Sequence, residues 1–212
     1  MPDSFPPITP AKGVAPKRPL YLVIALLLVW VVGLFGSQQG CQTIEWLHQP
    51  DEVRAALDRA SDRERAKQGE TLMNASLQFR KIVTPLAVGQ LLLASLLTLT
   101  AGLTLLGRVQ ARKLALQAMI AYALFLPIDF VARSPMRAVI VDAFAQSVNF
   151  PNFNGSPPPP ELSDPAMRHD IAQWAFRMVF AGQLAIVGIG MLALTRRRAR
   201  AFFGAVAERT RE

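Results

Sequence analysis

An uncharged run of 26 residues, 82–107, limits the possible folds of this chain more than any other feature. As an α-helix it would rise about 39 Å, which exceeds the roughly 30 Å hydrocarbon core of a bilayer. A core helix of a soluble protein has no need of so long an uncharged segment. The run therefore predicts a transmembrane helix, and a short basic turn with a second apolar run behind it predicts a membrane hairpin over 82–132.

Two more apolar runs, 20–36 and 171–195, bring the predicted spans to four. The first is short, but polar flanks that extend to the interface make it sufficient. We therefore predict an all-α integral membrane four-helix bundle with a partly helical extracytoplasmic loop. In chain order, the predicted segments are a disordered cytoplasmic tail (1–18), transmembrane helix 1 (19–36), an extracytoplasmic loop with a charged helix (37–81), transmembrane helix 2 (82–107), a cytoplasmic turn (108–113), transmembrane helix 3 (114–132), an extracytoplasmic proline-rich loop (133–170), transmembrane helix 4 (171–195) and a basic cytoplasmic tail (196–212).

The first apolar run also has the basic start of a secretory signal peptide. The residues after it offer no small-x-small cleavage site, so we interpret it as a retained anchor. The single cysteine, Cys41, excludes an intrachain disulfide and a cysteine metal cluster. Lipidation of Cys41 would need an aliphatic residue three positions earlier, and Gln38 stands there. An intermolecular disulfide stays open, and an inert thiol is the favoured interpretation.

Positive charge is distributed unevenly between the predicted loops. The two tails and the 108–113 turn hold twelve Lys and Arg residues against three acids, whereas 42–81 holds seven of each. An excess of Lys and Arg marks cytoplasmic segments, so we predict both termini in the cytoplasm. The richness in Ala, Leu and Arg suggests a bacterium, so the expected location is a bacterial inner membrane. The residues expected to anchor this topology are Arg108, Arg112, Lys113, Arg196, Arg197 and Arg198.

A net charge of +8 is common in nucleic-acid-binding proteins, but here the charges lie between and beyond long apolar runs. There is no basic stripe with interleaved aromatics and no zinc-finger or RNA-binding signature. We therefore predict the lipid bilayer, and not nucleic acid, as the partner of these charges. A further partner is expected to be another protein or a second copy of this chain.

Two ionisable residues fall inside the predicted spans. Asp129 lies three residues before the outer end of helix 3, and Arg177 lies six residues into helix 4, so their depths differ by about 5 Å. Charges at such depth are rare and are usually paired. We predict an Asp129–Arg177 ion pair or a shared polar pocket, either as a structural lock or as a binding site. The alternative is that each side chain extends separately to the outer interface.

Small and polar residues recur every four positions on two of the predicted spans. Such stripes let membrane helices approach closely, and side-chain amides can bond across the contact. They predict a tightly packed bundle. The stripes are Gln90, Ala94, Thr98 and Gly102 on helix 2, and Gln173, Arg177, Ala181 and Ala185 on helix 4.

Two segments outside the spans also allow predictions. The charged stretch 51–70 starts with Asp51 and Glu52 after Pro50, which favours a helix. It is interpreted as a solvated helix leading into helix 2, with a coiled-coil or partner-docking arm as the alternative. In the basic C-terminal tail, Phe202 and Phe203 predict an interfacial segment on anionic lipid.

The sequence carries no recognisable catalytic signature. HExxH, P-loop and GxSxG motifs are absent, and both histidines, His48 and His169, lie outside the spans, where they could not ligate a transmembrane haem. We predict no cofactor and no metal site. The favoured function is a non-catalytic subunit or scaffold that contacts a partner through its extracytoplasmic loops. The alternative is a small transporter or membrane enzyme that uses the Asp129/Arg177 site.

Overall fold

A computed structural model describes residues 18–59, 63–147 and 164–209. Within these ranges the regular structure is helical, and four helices are long and apolar enough to cross a membrane, which confirms the predicted all-α four-helix membrane bundle. The predicted tail 1–18, apart from its last residue, and residues 148–163 of the proline-rich loop lie outside the described residues. The helices are α1 (Leu20–His48), α2 (Pro50–Asp58), α3 (Arg63–Gln78), α4 (Arg80–Leu105), α5 (Val109–Ala132), α6 (Ser134–Ser147), α7 (Pro165–Thr195) and α8 (Arg197–Arg209).

Helix α1 continues well past the predicted end of the first span. No helix breaker stops it at Gly36, and it ends only at His48, before Gln49 and Pro50. The glycines instead let α4 approach: a Cβ atom on Gly36 would lie 2.9 Å from the Cβ of Ala94, which is too close for two carbons. The α1–α4 pair is consequently the most extensive helix contact described in the bundle.

The predicted hairpin between the second and third spans closes in a tight turn. Gly107 adopts a φ of +84°, which an L side chain rarely adopts. The amide of Gly107 donates to the carbonyl of Thr104, and the amide of Arg108 donates to the carbonyl of Leu103. This is the double hydrogen bond of a Schellman motif, which ends α4 and lets α5 begin at Val109.

Three of the helices in the described part of the chain, α2, α3 and α6, lie at the end of the bundle opposite this turn. Single residues connect them to the spans: Gln49 joins α1 to α2, Phe79 joins α3 to α4, and Arg133 joins α5 to α6. Helix α3 contacts α1 and α6, and its Met73 is fully buried. The described parts of the charged stretch, 51–58 and 63–70, are thus helical, and α3 packs on the bundle instead of standing away from it.

The core is divided into a large cluster along the spans and a small one where α3 and α6 meet the ends of α1 and α4. Leu26, Val29, Leu97 and Met119 belong to the large cluster, and Met136 belongs to the small one. Many leucines of the long helices point outward; Leu92, Leu124 and Leu192, for example, are 64–66% exposed. An apolar outer surface on helices of this length is what lipid solvates.

The C-terminal helix α8 differs from the prediction for its aromatic residues. Phe202 and Phe203 are buried in the large core cluster, and the Arg112 guanidinium lies 5.9 Å from the centre of the Phe203 ring. Their burial against the ends of the spans removes the two rings from the surface that could meet lipid. The prediction of an interfacial role for these two side chains is therefore wrong.

Candidate functional site

A cavity of about 340 Å³ lies where α1, α3, α4, α5, α6 and α7 meet, at the end of the bundle that carries α2, α3 and α6. Its polar lining groups include three ionisable side chains and four glutamines, and its remaining walls are largely aromatic and aliphatic. The volume lies in the range of small-molecule sites. The polar and aromatic lining residues are Gln39, Gln42, Thr43, Trp46, Ser76, Gln90, Phe125, Asp129, Phe130, Arg133, Arg137, Phe176, Phe180 and Gln183.

Asp129 lies in this cavity but pairs with a different arginine from the one predicted. Its Oδ1 is 2.7 Å from Nε of Arg133, which lies four residues later, one helical turn along. Arg177 does not line the cavity; it is exposed, with its guanidinium 5.9 Å from the centre of the Trp174 ring. Equal depth along the bundle placed Asp129 and Arg177 at one level, but the two side chains face different directions. The structure does not bring the predicted pair together.

The ion pair continues into a hydrogen-bond network across three helices. Arg133 donates from Nη2 to Oε1 of Gln90 over 2.9 Å, and Gln90 donates from Nε2 to Oε1 of Gln39 over 3.2 Å. The network joins the end of α5 to α4 and α1. It satisfies the buried amide of Gln90 and fixes the Arg133 guanidinium from two sides, so Arg133 is held in place by its neighbours.

Arg137, on α6, is positioned by an aromatic ring. Its guanidinium carbon lies 3.7 Å from the centre of the Phe130 ring, which itself stacks on Phe180 of α7 at 4.5 Å. Burial lowers the pKa of Arg137 and the nearby Asp129 carboxylate opposes that shift, but the guanidinium stays charged at neutral pH. Within the described part of the chain, no carboxylate forms an ion pair with Arg137.

The two predicted stripes have different surroundings. All four residues of the α4 stripe face α1: Gln90 bonds to Gln39, Ala94 and Thr98 lie beside α1 glycines, and Gly102 lies beside Trp30. On α7, Gln173 is half-buried, whereas Arg177, Ala181 and Ala185 are exposed. Helix α7 packs through another face, with Val187, Gly190 and Leu194 buried.

At the end of the bundle opposite the cavity, several arginines lie where the C-terminal ends of α4 and α7 meet the N-terminal end of α5. Arg18 donates to the carbonyl of Leu105, and Arg112 donates from Nη2 to the carbonyl of Leu194 over 3.0 Å. Cations at helix C-termini complement the negative end of the helix dipole. The Arg196 guanidinium lies 5.3 Å from the Tyr21 ring centre. The other predicted anchors, Arg108, Lys113, Arg197 and Arg198, are exposed.

The described residues contain no group of three His, Cys, Asp or Glu side chains that could hold a metal ion. His169 approaches Asp142 at 3.4 Å and Asp170 at 3.7 Å, and His48 contacts the carbonyl of Ile44 within its own helix. Cys41 is free and exposed.

Comparisons with protein-family models, curated proteins and solved structures gave no match.

Sequence reasoning singled out Asp129 and Gln90 but missed Arg133 and Arg137, because both follow the predicted end of the third span. The i, i+4 spacing of Asp129 and Arg133 was the available signal. The contact of Arg137 with Phe130 depends on how α6 turns at Arg133, which no sequence pattern indicates.

Proposed function

We propose that this chain is a membrane protein that binds a small molecule reversibly in the cavity around Asp129, Arg133 and Arg137, without chemical conversion. One observation carries the proposal: charged and aromatic side chains face a common open volume inside the helical bundle. Charge at membrane depth is costly, and it is typical of binding sites and substrate pathways. This favours the binding or transport class over a scaffold without a ligand.

The lining supports binding better than catalysis. Its hydroxyl groups are engaged locally: Thr43 donates to the carbonyl of Gln39, and Ser76 donates to the carbonyl of Leu72, each over 2.8 Å. No histidine lines the cavity, so these hydroxyls have no imidazole base beside them. The carboxylate of Asp129 is held by Arg133. These side chains can hold a ligand, but they do not form an activated nucleophile.

We place the cavity on the extracytoplasmic side of a bacterial inner membrane. Support for this orientation comes from charge: the tails and the 108–113 turn carry the excess of Lys and Arg, and Arg18, Arg112 and Arg196 lie together at the end of the bundle away from the cavity. A ligand would then reach the site from the outer leaflet or the outer solution.

The proposal is tested by filling the cavity. In Gln183→Trp the indole would occupy the cavity, whereas in Ala185→Trp it would extend from an exposed position of the same helix. Native mass spectrometry of protein purified in mild detergent should show a bound small molecule on the wild type and on Ala185→Trp, but not on Gln183→Trp. A wild type without a bound molecule, or a molecule retained by Gln183→Trp, would contradict the proposal.

A second candidate function is contact with a protein partner through α2 and α3. The observation in its favour is that α2 and α3 bury their apolar residues, Val53 and Met73, against the protein and leave Asp51, Lys67 and Glu70 exposed. A partner, or a second copy of this chain, would meet a polar surface. Co-purification that is lost on reversing the charges of Lys67 and Glu70, with the bundle still folded, would support this candidate; retention would contradict it.

A further inference from the structure

Among the described residues that line the cavity, one positive charge is uncompensated. They include one carboxylate, Asp129, and two guanidiniums, Arg133 and Arg137, which together give a net charge of +1. Asp129 and the amide of Gln90 both engage Arg133, at 2.7 and 2.9 Å. The ion pair therefore neutralises Arg133 and leaves Arg137 as the cation that faces the open volume.

The geometry of Arg137 suits an oxyanion. The Phe130 ring covers one face of its guanidinium at 3.7 Å, and the stack of Phe130 on Phe180 holds that ring in place. A guanidinium that stacks on a ring keeps its edge donors in the plane, where a carboxylate or a phosphate can accept two parallel hydrogen bonds. The aromatic platform thus positions the donors of Arg137 without engaging them.

The rest of the cavity suits an apolar chain. Trp46, Phe125, Phe176 and Val179 line the same volume as Arg137. Val179 is also exposed on the surface of α7, so the cavity reaches the side of the bundle that lipid would cover. A head group held at Arg137 would therefore have a continuous apolar path into the bilayer.

We propose that the ligand is an amphiphile with one negative charge, whose carboxylate or phosphate head binds Arg137 and whose acyl chain leaves the cavity past Val179. This inference rests on the proposed binding function and names its ligand class. A neutral amphiphile would leave the positive charge of Arg137 unbalanced beside the aromatic walls of the cavity. A free inorganic anion would leave the aromatic walls without a partner.

The test uses Trp46, which lines the cavity, as a fluorescent reporter in the full-length chain. Trp30→Phe and Trp174→Phe remove the other two indoles. In neutral detergent, the reporter is titrated with dibromostearic acid, with the corresponding fatty alcohol and with phosphatidylglycerol carrying brominated acyl chains. The acid, the phosphatidylglycerol or both should quench Trp46 saturably, and which of them does so identifies the head group.

Substitution of Arg137 distinguishes recognition of the anionic head group from unspecific entry of amphiphiles into the cavity. Arg137→Gln should weaken binding of the anionic amphiphile by about 10- to 100-fold, as expected for losing a charge-assisted contact. Arg137→Lys should lose less, because it keeps the charge. The matched control is Arg177→Gln, which removes an exposed arginine of α7 outside the cavity and should leave the affinity unchanged. Circular dichroism verifies that each variant keeps its helices.

The possible failures are distinguishable. Quenching by the fatty alcohol at equal affinity, or an affinity unaffected by Arg137→Gln, would overturn the anionic ligand while retaining a cavity that binds amphiphiles. Absence of saturable quenching by all three probes would overturn the cavity as a site for amphiphiles, and the proposed function would then depend on the mass-spectrometric result alone.

Discussion

Breaking the Asp129–Arg133 pair offers a quantitative test of the site. The two side chains are 16% (Arg133) and 20% (Asp129) exposed. Removing one member of a fully buried ion pair costs about 3–5 kcal/mol, whereas a surface pair contributes about 0–1 kcal/mol. Because the pair borders a cavity, we expect Arg133→Gln to lower the free energy of unfolding by roughly 2–3 kcal/mol.

The two single variants should differ in cost. Arg133→Gln leaves the Asp129 carboxylate unpaired and also removes the donor to Gln90. Asp129→Asn leaves Arg133 bonded to Gln90, so its cost should be about 1–2 kcal/mol. The double variant contains no unpaired charge at these positions. It should therefore lose less than the sum of the two, with a coupling of about 1–2 kcal/mol.

The assay is reversible unfolding by SDS in mixed micelles, followed by far-ultraviolet circular dichroism. Arg177→Gln serves as the control, because Arg177 is exposed and lies outside the cavity. It should change the free energy of unfolding by less than about 0.5 kcal/mol and should show no coupling to Asp129→Asn. Equal effects of Arg133→Gln and Arg177→Gln, or coupling between Asp129 and Arg177, would refute the assigned pair.

Three further predictions concern the bundle, each measured by the same SDS unfolding. Gly36→Leu should lower the free energy of unfolding by about 1–3 kcal/mol or more, because the new side chain would collide with α4. Gly182→Leu is the control, because no atom lies within 4 Å of a Cβ added there. Equal effects of the two substitutions would contradict the α1–α4 contact. Arg112→Met should cost about 1–2 kcal/mol by freeing a last-turn carbonyl of α7, unlike the exposed Arg197→Met. Phe203→Ala should cost about 3–5 kcal/mol because its ring is buried in the core; an almost unchanged free energy of unfolding would contradict that burial.

Hydropathy and charge predicted the four spans because membrane solvation imposes a length and an apolar composition on each segment. The same rules misplaced the helix ends. Helix α1 continues through Gly36 and ends only at His48. Gly36 is not a helix end; it is the small residue that lets α4 pack closely against α1. Gly36 and Gly40 are spaced as Gly-x-x-x-Gly, so a search for small residues on the first span would have identified the face that meets α4.

The site was predicted only in part, and the reason is geometric. Depth along a helix can be counted from sequence, so Asp129 was recognised as a charge that needs a partner. Direction around the bundle depends on packing, which leaves Arg177 exposed and places the guanidinium of Arg133 beside Asp129. The position of Arg137 over Phe130 arises from two helices that meet at a single connecting residue. Contacts of this kind are determined only in the assembled structure.

The central claim is that the cavity is an accessible ligand site on the outer side of the membrane. In a Cys41→Ser background, Gln42→Cys places a thiol in the cavity wall, and Lys113→Cys places one at the opposite end of the bundle. A membrane-impermeant maleimide on intact cells should label position 42 and not position 113, and dibromostearic acid, brominated phosphatidylglycerol or both should slow labelling at position 42. Labelling at position 113 alone would contradict the orientation, and labelling at position 42 that neither amphiphile slows would contradict the amphiphile site.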